Sequence, residues 1–294
     1  MWRLMHAQNR DRVGLSWRGE LAAATLERID ELDVLEVIAE DWLNVPRRRA
    51  AALAQLATER PVLLHGVSLG LASTAPVETW RLERMARLVD RVQPEAWSEH
   101  LAFVRAGGVE IGHLAAPPRT VENAEGACAN LARAARVVGV LPCVENVATL
   151  IDPPGSGMDE GRWVRTIIAA SGAPLLLDLH NLYANALNFG CAPGDLLLAM
   201  PLDRVSIVHL SGGRWISPPG GAARLLDDHL HDVPAQVYGL LESLARVAPQ
   251  PLTVIIERDG NVPAFDALAG QVALARAALA RGRAGRVLLE RAAA

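Results

Sequence analysis

Histidine and carboxylate side chains recur at the ends of short apolar runs in this 294-residue chain. Imidazole and carboxylate groups suit Fe, Mn or Zn, and no thiolate stands at these run-end positions. Three carboxylates buried close together without cations would be strongly destabilising. We therefore predict a site for two or three metal ions, bridged by a carboxylate such as Glu145. The six residues that define the set are His65, His100, Glu145, Asp178, His209 and Glu257.

The elements that must position these residues alternate regularly along the sequence. Apolar β-like runs are predicted at 13–15, 34–38, 62–65, 96–101, 141–145, 175–178, 205–210 and 252–257. Helix-like stretches follow at 21–32, 46–59, 77–92, 121–138, 159–170, 193–199, 234–247 and 263–280. Eight such units predict an α/β protein with a single (β/α)8 TIM barrel over residues 13–280, whose active-site face lies at the carboxyl ends of the strands. Residues 1–12 are predicted to be an N-terminal extension and 281–294 a C-terminal tail.

An open, doubly wound sheet is the main alternative architecture. It would favour a glycine-rich phosphate loop after the first strand, and Ser16-Trp17-Arg18-Gly19 is not such a loop.

The residues two positions before the six candidates share their face of each strand. They are small or apolar, as the filled interior of a barrel requires, and therefore predict a packed floor beneath one polar layer. This floor would consist of Leu63, Ser98, Cys143, Leu176, Ile207 and Ile255.

Composition restricts the class of protein. The 29 basic and 33 acidic residues give a net charge of -4, which argues against a general nucleic-acid binder. No apolar run is long enough to cross a membrane, and the N-terminus lacks the apolar stretch of a signal peptide. Cys128, Cys143 and Cys191 are scattered and read as reduced thiols. We therefore expect a cytoplasmic protein without nucleic-acid or membrane partners.

As an ordered set, the strand-end motifs resemble those of the multinuclear non-haem iron-dependent oxidative enzymes. The resemblance extends from about Val13 to the last barrel helix. Its motifs are His65-Gly66-Val67-Ser68-Leu69, Ser98-Glu99-His100, Glu145-Asn146, Asp178-Leu179-His180-Asn181-Leu182-Tyr183, His209-Leu210, Asp227-x-His229 and Glu257-Arg258-Asp259-Gly260.

The resemblance implies a TIM barrel that holds two or three Fe ions of mixed Fe(II)/Fe(III) valence and uses O2 as co-substrate. It implies oxidation of a ribosomally synthesised precursor peptide, at a Cys or a C-terminal residue, with a separate partner protein that presents the peptide. The implied iron ligands are His65, His100, Glu145, Asp178, Asn181, His209, Asp227, His229 and Glu257. Supporting or substrate-contacting roles are assigned to Glu36, Glu99, Asn146, His180 and Tyr183.

Some positions depart from the family's commoner pattern and leave the substrate open. Asp41 stands where Asn is usual, His180 where Asn is frequent, and Arg258-Asp259-Gly260 replaces a Trp-Asp-Asn-Asp string. The Asp227/His229 segment either faces the barrel mouth or is a solvated loop. His113 lies outside the pattern and is interpreted as an ordinary surface or loop residue.

Two other functions fit the same residues. One is a Zn- or Mn-dependent phosphodiesterase or sugar isomerase, of the barrel type found in endonuclease IV and xylose isomerase. The other is a non-catalytic protein that binds a peptide in a metal-dependent way.

Overall fold

Eight parallel strands close into a barrel in this computed structural model, which describes residues 10–217 and 220–293. The strands are β1 (Arg12–Ser16), β2 (Leu35–Ile38), β3 (Val62–Gly66), β4 (Ala96–His100), β7 (Cys143–Glu145), β8 (Leu175–Asp178), β9 (Val205–Leu210) and β12 (Thr253–Ile256). The order around the barrel is β1-β12-β9-β8-β7-β4-β3-β2, and β2 pairs again with β1. The predicted (β/α)8 barrel is confirmed, and each of the eight predicted runs overlaps one of these strands.

Helices connect the strands on the outside of the barrel. Short 3-10 helices occur at Gly19–Leu21, Ile29–Glu31, Ala39–Trp42 and Leu202–Arg204. The α-helices are α1 (Ala22–Glu27), α2 (Arg47–Glu59), α3 (Thr79–Val92), α4 (Val121–Val138), α5 (Glu160–Ser171), α6 (Leu179–Phe189), α7 (Pro193–Ala199), α8 (Ala235–Val247) and α9 (Phe265–Ala293).

Capping residues fix where several of these helices begin and end. The side chain of Thr120 accepts a hydrogen bond from the Asn123 amide at the start of α4, and Asp159 does the same for α5. Asp178, the last residue of β8, caps α6 in the same way, so that strand and helix are joined without a loop. Helices α4, α5 and α6 each end at a glycine with positive φ, a conformation that glycine adopts without strain.

Two antiparallel hairpins interrupt the alternation at the carboxyl end of the barrel, and neither was predicted. The first hairpin consists of β5 (Phe103–Ala106) and β6 (Val109–Ala115), and the second of β10 (Gly213–Ile216) and β11 (Arg224–Asp227). Both follow a strand that carries candidate ligands, and residues of both line the main cavity.

An apolar plug fills the barrel beneath the candidate ligands. Five of the six predicted floor residues belong to it, and Ser98 is instead a buried polar residue beside it. Burial raises the pKa of the Cys143 thiol to about 11, which keeps it protonated as a small apolar filler. The floor is the set Val34, Leu63, Cys143, Leu176, Ile207 and Ile255, none more than 2% exposed.

Helix α6 was missed, and the predicted helix at 21–32 divides into α1 and a 3-10 turn. Helix α9 continues past residue 280, so the chain shows no break at the start of the predicted tail. The predicted extension, 1–12, lies outside the described residues except for its last three. None of the helices in the described ranges is both long and apolar enough to cross a membrane.

Candidate metal centre

The six strand-end side chains form one buried polar layer directly above the floor. Their ligand-type atoms fall into three overlapping groups, and within each group all atoms lie within 4.8 Å of one another. Glu145, His65 and His209 each belong to two groups, and the carboxylate of Glu145 has the two oxygens that a bridge between ions requires. The groups are Glu36/His65/His209, His65/His100/Glu145 and Glu145/Asp178/His209/Glu257.

Each of two histidines has one ring nitrogen held by the scaffold. His100 Nδ1 lies 3.2 Å from the carbonyl oxygen of Gly66, and because a carbonyl only accepts, Nδ1 carries the proton. Its Nε2 lies 3.2 Å from Glu145 Oε2 and is the ring atom left to bind a metal ion. His65 has the same orientation, with Nδ1 2.8 Å from Ser98 Oγ and Nε2 3.4 Å from Glu145 Oε2. Both imidazoles are thereby oriented as ligands through Nε2.

His209 has the opposite orientation. Its Nε2 lies 3.0 Å from the carboxylate of Glu36, while Nδ1 lies 3.1 Å from Glu257 Oε2 and 3.4 Å from Glu145 Oε1. A carboxylate behind a ligating imidazole fixes the ring and raises its basicity. Glu36 thus supports His209, while its second oxygen remains available to the group it shares with His65.

Asn146 and Asn181 hold Asp178 in place. Asn146 accepts from the Asp178 amide at 2.9 Å and donates to the Asp178 carbonyl at 3.1 Å. Asn181 donates its backbone amide to Asp178 Oδ1 at 2.6 Å and its side-chain amide to the Asn146 carbonyl at 3.0 Å. The remaining oxygens, Asp178 Oδ2 and Asn181 Oδ1, are buried and unpartnered. Both are therefore free to act as ligands.

The second hairpin brings Asp227 and His229 to the mouth, which excludes a fully solvated loop. Asp227 is fixed through Oδ1 by buried His180 at 2.7 Å and through Oδ2 by His229 Nε2 at 2.8 Å. His229 Nδ1 lies 3.6 Å from Glu257 Oε2 and 3.2 Å from Asp259 Oδ2. Neither Asp227 nor His229 belongs to the three groups, so their role as ligands stays a prediction.

The electrostatics of the layer reflect its close-packed opposite charges. Burial disfavours protonation of His100, but Glu145 and Glu99 outweigh burial and raise its pKa to about 9. Burial favours protonation of Glu145, yet the neighbouring histidines lower its pKa. Burial, Asp227 and Glu145 together raise the pKa of Asp178 well above its usual value. Protons and metal cations would therefore compete for the same atoms.

Buried polar atoms without hydrogen-bond partners provide a direct test of whether the layer suits cations. Unpartnered buried groups are rare in folded proteins because each is destabilising. In the described part of the chain, every unpartnered atom of this layer, and of Glu36, Asn181 and His229 beside it, is of a metal-ligating type: an imidazole nitrogen, a carboxylate oxygen or an amide oxygen. The donor set therefore fits a metal centre. The atoms are Glu36 Oε1, Glu145 Oε2, Asp178 Oδ2, Asn181 Oδ1, His209 Nδ1, His229 Nδ1 and Glu257 Oε2.

Two predicted supporting residues lie outside this layer. Glu99 is buried, and its carboxylate accepts from the backbone amides of His100 and Leu69, both at 2.9 Å. It therefore shapes the backbone around His100. The Tyr183 ring lies beside His180, with the ring centroids 6.4 Å apart, and packs against the main apolar core.

A cavity of about 940 Å³ opens above the layer. Its walls are apolar and come mainly from the first hairpin and from residues 147–154, and its volume lies in the range of ligand sites. His65, His100, Asn181, His229 and Glu257 reach the cavity. So does His113, which the sequence pattern did not single out. The one sequence signal beside it is Gly112, which interrupts an otherwise β-like run.

The carboxyl group of Glu160, at the start of α5 and outside the polar layer, should make the stability of the protein depend on pH. Burial raises the pKa of its carboxyl group to about 7, although Asn185 donates to Oε2 at 2.9 Å. An acid whose pKa is higher in the folded state contributes stability below its unfolded pKa of 4.5 and loses it as pH rises towards 7. We expect the free energy of unfolding of Glu160→Gln to match that of the wild type at pH 4 and to exceed it by about 3 kcal/mol at pH 8.

Urea unfolding of metal-free protein across this pH range measures the effect. A difference in the free energy of unfolding that stays constant from pH 4 to pH 8 would contradict this prediction.

Comparison with protein families gives one match over most of the chain. Residues 12–280 match the family model described as RiPP precursor modification enzyme MbnB/TglH/ChrH. Two UPF0276 proteins from Caulobacter vibrioides are each 34% identical to this chain. One alignment covers 85% of this chain and 89% of the relative, and the other covers 96% and 99%. A UPF0276 protein from Bordetella parapertussis is 32% identical over 93% of this chain and 94% of its own length.

Solved structures share the fold at low sequence identity. A xylose isomerase domain-containing protein from Salmonella typhimurium superposes with a TM-score of 0.60 at 13% identity, covering 91% of this chain and 97% of that one. An L-ribulose 3-epimerase superposes with a TM-score of 0.56 at 14% identity, covering 96% and 97%. At these identities the likeness concerns the barrel alone.

Proposed function

Because this chain belongs to the MbnB/TglH/ChrH family of RiPP precursor modification enzymes, we propose that it oxidises a ribosomally synthesised peptide with O2 at a multinuclear iron centre. Membership of the family makes the chain a peptide-modifying enzyme. The metal, the oxidant and the modified residue, a Cys or a C-terminal residue, belong to the proposal. The observation that supports it best is the layer of unpartnered imidazole, carboxylate and amide atoms at the barrel mouth.

Two or three iron ions of mixed Fe(II)/Fe(III) valence, when bound, would supply electron transfer with O2 and Lewis acidity. His65 and His100 would hold them through Nε2, and His209 through Nδ1, as their hydrogen bonds orient them. Glu145 would bridge, and Asp178 and Glu257 would complete the layer. Asn181, Asp227 and His229 would serve a further ion beside the second hairpin.

The cavity above the layer suits part of a peptide. Its apolar walls exclude water from the reacting group, which strengthens the electrostatic interactions beneath it. We propose that the reaction takes place in the cytoplasm, where precursor peptides are made. We also propose that a separate protein presents the precursor, since the cavity accommodates only a short segment of it.

Metal analysis and mass spectrometry test this function together. Protein purified without added metal should contain more than one equivalent of iron. With candidate precursor peptides encoded near its gene, and their neighbouring partner protein, it should consume O2 and change the peptide mass. Zinc or manganese in place of iron, with no O2 uptake, would instead favour a phosphodiesterase or isomerase. A peptide that binds but keeps its mass would favour a binding protein.

A further inference from the structure

The first hairpin carries an irregularity that directs one imidazole into the cavity. Phe103 pairs with Ala115 and Arg105 with Glu110, so a single residue on β5 faces four on β6. Within this bulge Gly112 has a φ of +77°, which lets the strand change direction without strain. His113 follows, and it lines the cavity above the metal layer. Bulges of this kind occur next to active sites, where they reorient a side chain.

Hydrogen bonds and ion pairs connect the base of the bulge to the barrel. Arg105 donates to the carbonyl oxygens of Ser68 and Leu69 at 2.6 and 2.9 Å, and its Nε lies 3.1 Å from Glu110 across the hairpin. Arg81 of α3 donates to the same Glu110 carboxylate at 2.5 Å. The hairpin is thus tied both to the loop after His65 and to α3. The position of His113 is set by the barrel scaffold rather than by a free loop tip.

The orientation of the His113 ring defines what it offers. Its Nδ1 lies 2.9 Å from the carbonyl oxygen of Leu114. A carbonyl oxygen only accepts, so the proton of the neutral ring is on Nδ1. Nε2 is therefore a hydrogen-bond acceptor, and the exposed ring has room for a partner. An acceptor at this position recognises a group that donates a hydrogen bond.

The remainder of that side of the cavity is apolar or lacks charge. Cavity-lining residues between 103 and 118, and between 147 and 154, include no other titratable side chain, and both segments lie wholly within the described ranges. The carboxylates that line the cavity, Asp227, Asp228, Glu257 and Asp259, come instead from the end of the second hairpin and from the segment after β12. His113 is thus the one titratable side chain of these two segments of the cavity wall, and the polar Thr149 of the same wall already donates its hydroxyl to the carbonyl oxygen of Ile151.

We propose that His113 is a substrate-binding residue, whose Nε2 accepts a hydrogen bond from the peptide held in the cavity and so determines which segment is presented to the metal centre. The donor is either a backbone N–H or the thiol of a cysteine. The proposal rests on the peptide-modifying function proposed above. It assigns the first hairpin to substrate selection, in contrast to the metal-binding side of the second hairpin.

Binding of peptides to the iron-loaded protein under anaerobic conditions tests this assignment. The probes are two displayed libraries of randomised peptides, one with a central Cys and one with Ala at that position. The affinity of the best binder in each is then measured by fluorescence anisotropy. His113→Gln keeps an acceptor near the position of Nε2, and His113→Phe keeps the ring but removes the acceptor. His231→Phe is the matched control, because His231 is exposed and does not line the cavity.

We expect His113→Phe to weaken binding about tenfold or more, whereas His113→Gln stays within about threefold of the wild type. Metal content should be equal in all variants, and His231→Phe should bind like the wild type. If His113→Phe loses affinity only for the best binder of the Cys library, the thiol is the donor. If it loses affinity for the best binders of both libraries, the donor is a backbone N–H.

Wild-type affinity in His113→Phe, or an equal loss of affinity in His113→Phe and His113→Gln, would show that His113 does not accept a hydrogen bond from the peptide. The proposed function would be unaffected by that result. If the wild type captures no peptide from either library, the proposed function fails and this inference with it.

Discussion

Glu145→Gln should remove at least one equivalent of metal while the barrel stays folded. Glu145 belongs to two of the three ligand groups, and its Oε2 lies within 3.4 Å of the Nε2 atoms of both His65 and His100. A neutral amide offers one weak oxygen in place of two charged ones, so a bridge between ions is lost. Removal of a residue that only supports a ligand lowers metal affinity roughly 10–100-fold. Loss of a bridging ligand should therefore lower metal affinity by more than about 100-fold.

Elemental analysis of the purified variant measures this loss, and circular dichroism reports whether the fold survives. Glu160→Gln is the matched control, because it makes the same chemical change at a buried carboxyl group outside the layer. The control should keep its full complement of metal. A Glu145→Gln protein with the same metal content as the wild type would exclude Glu145 as a bridging ligand.

Removal of the metals should lower the melting temperature by about 10 °C for each ion that the centre holds. Without cations, the layer and the adjoining Glu36, Asn181 and His229 contain seven buried atoms that have no hydrogen-bond partner in the described part of the chain. A ligand present at about 1,000 times its Kd stabilises the folded state by about 4 kcal/mol per site. For a chain of this size, each kcal/mol corresponds to roughly 2–4 °C.

Thermal unfolding before and after chelation measures the difference, and anaerobic return of Fe(II) should restore the original value. Glu145→Gln should show a smaller change on chelation, since it has less metal to lose. Equal melting temperatures for chelated and metal-loaded wild type would show that the layer is satisfied without cations.

Sequence alternation was sufficient to predict the barrel and the height in it at which the candidate metal ligands lie. Apolar runs bounded by turn residues marked all eight strands, because strands buried on both faces need continuous hydrophobic sequence. Two-residue spacing correctly placed Leu63, Leu176 and Ile207 beneath His65, Asp178 and His209. The same rule failed to anticipate that Ser98 hydrogen-bonds to His65, because a small polar residue fits the interior where a partner is present.

Tertiary contacts decide the features that the sequence did not reveal. Helix α6 has no conventional start signal separate from β8, since Asp178 serves as strand end, helix cap and candidate ligand at once. Three of its asparagines, Asn181, Asn185 and Asn188, bind backbone groups of neighbouring segments, a use that no local periodicity predicts. His113 was interpreted as a surface residue because its approach to the cavity depends on the bulge at Gly112, not on strand alternation.

The apolar floor would also determine the order in which a metal centre is assembled. With the barrel interior filled by Leu63, Leu176, Ile207 and their neighbours, the described residues leave ions no path from the amino-terminal end of the barrel. Under the proposed function, metal and peptide would therefore share one entrance, the cavity at the mouth. The ions would have to enter first, and a bound peptide would then close the route by which they leave. Release of metal would depend on release of the peptide, so the substrate itself would retain the ions while the reaction proceeds.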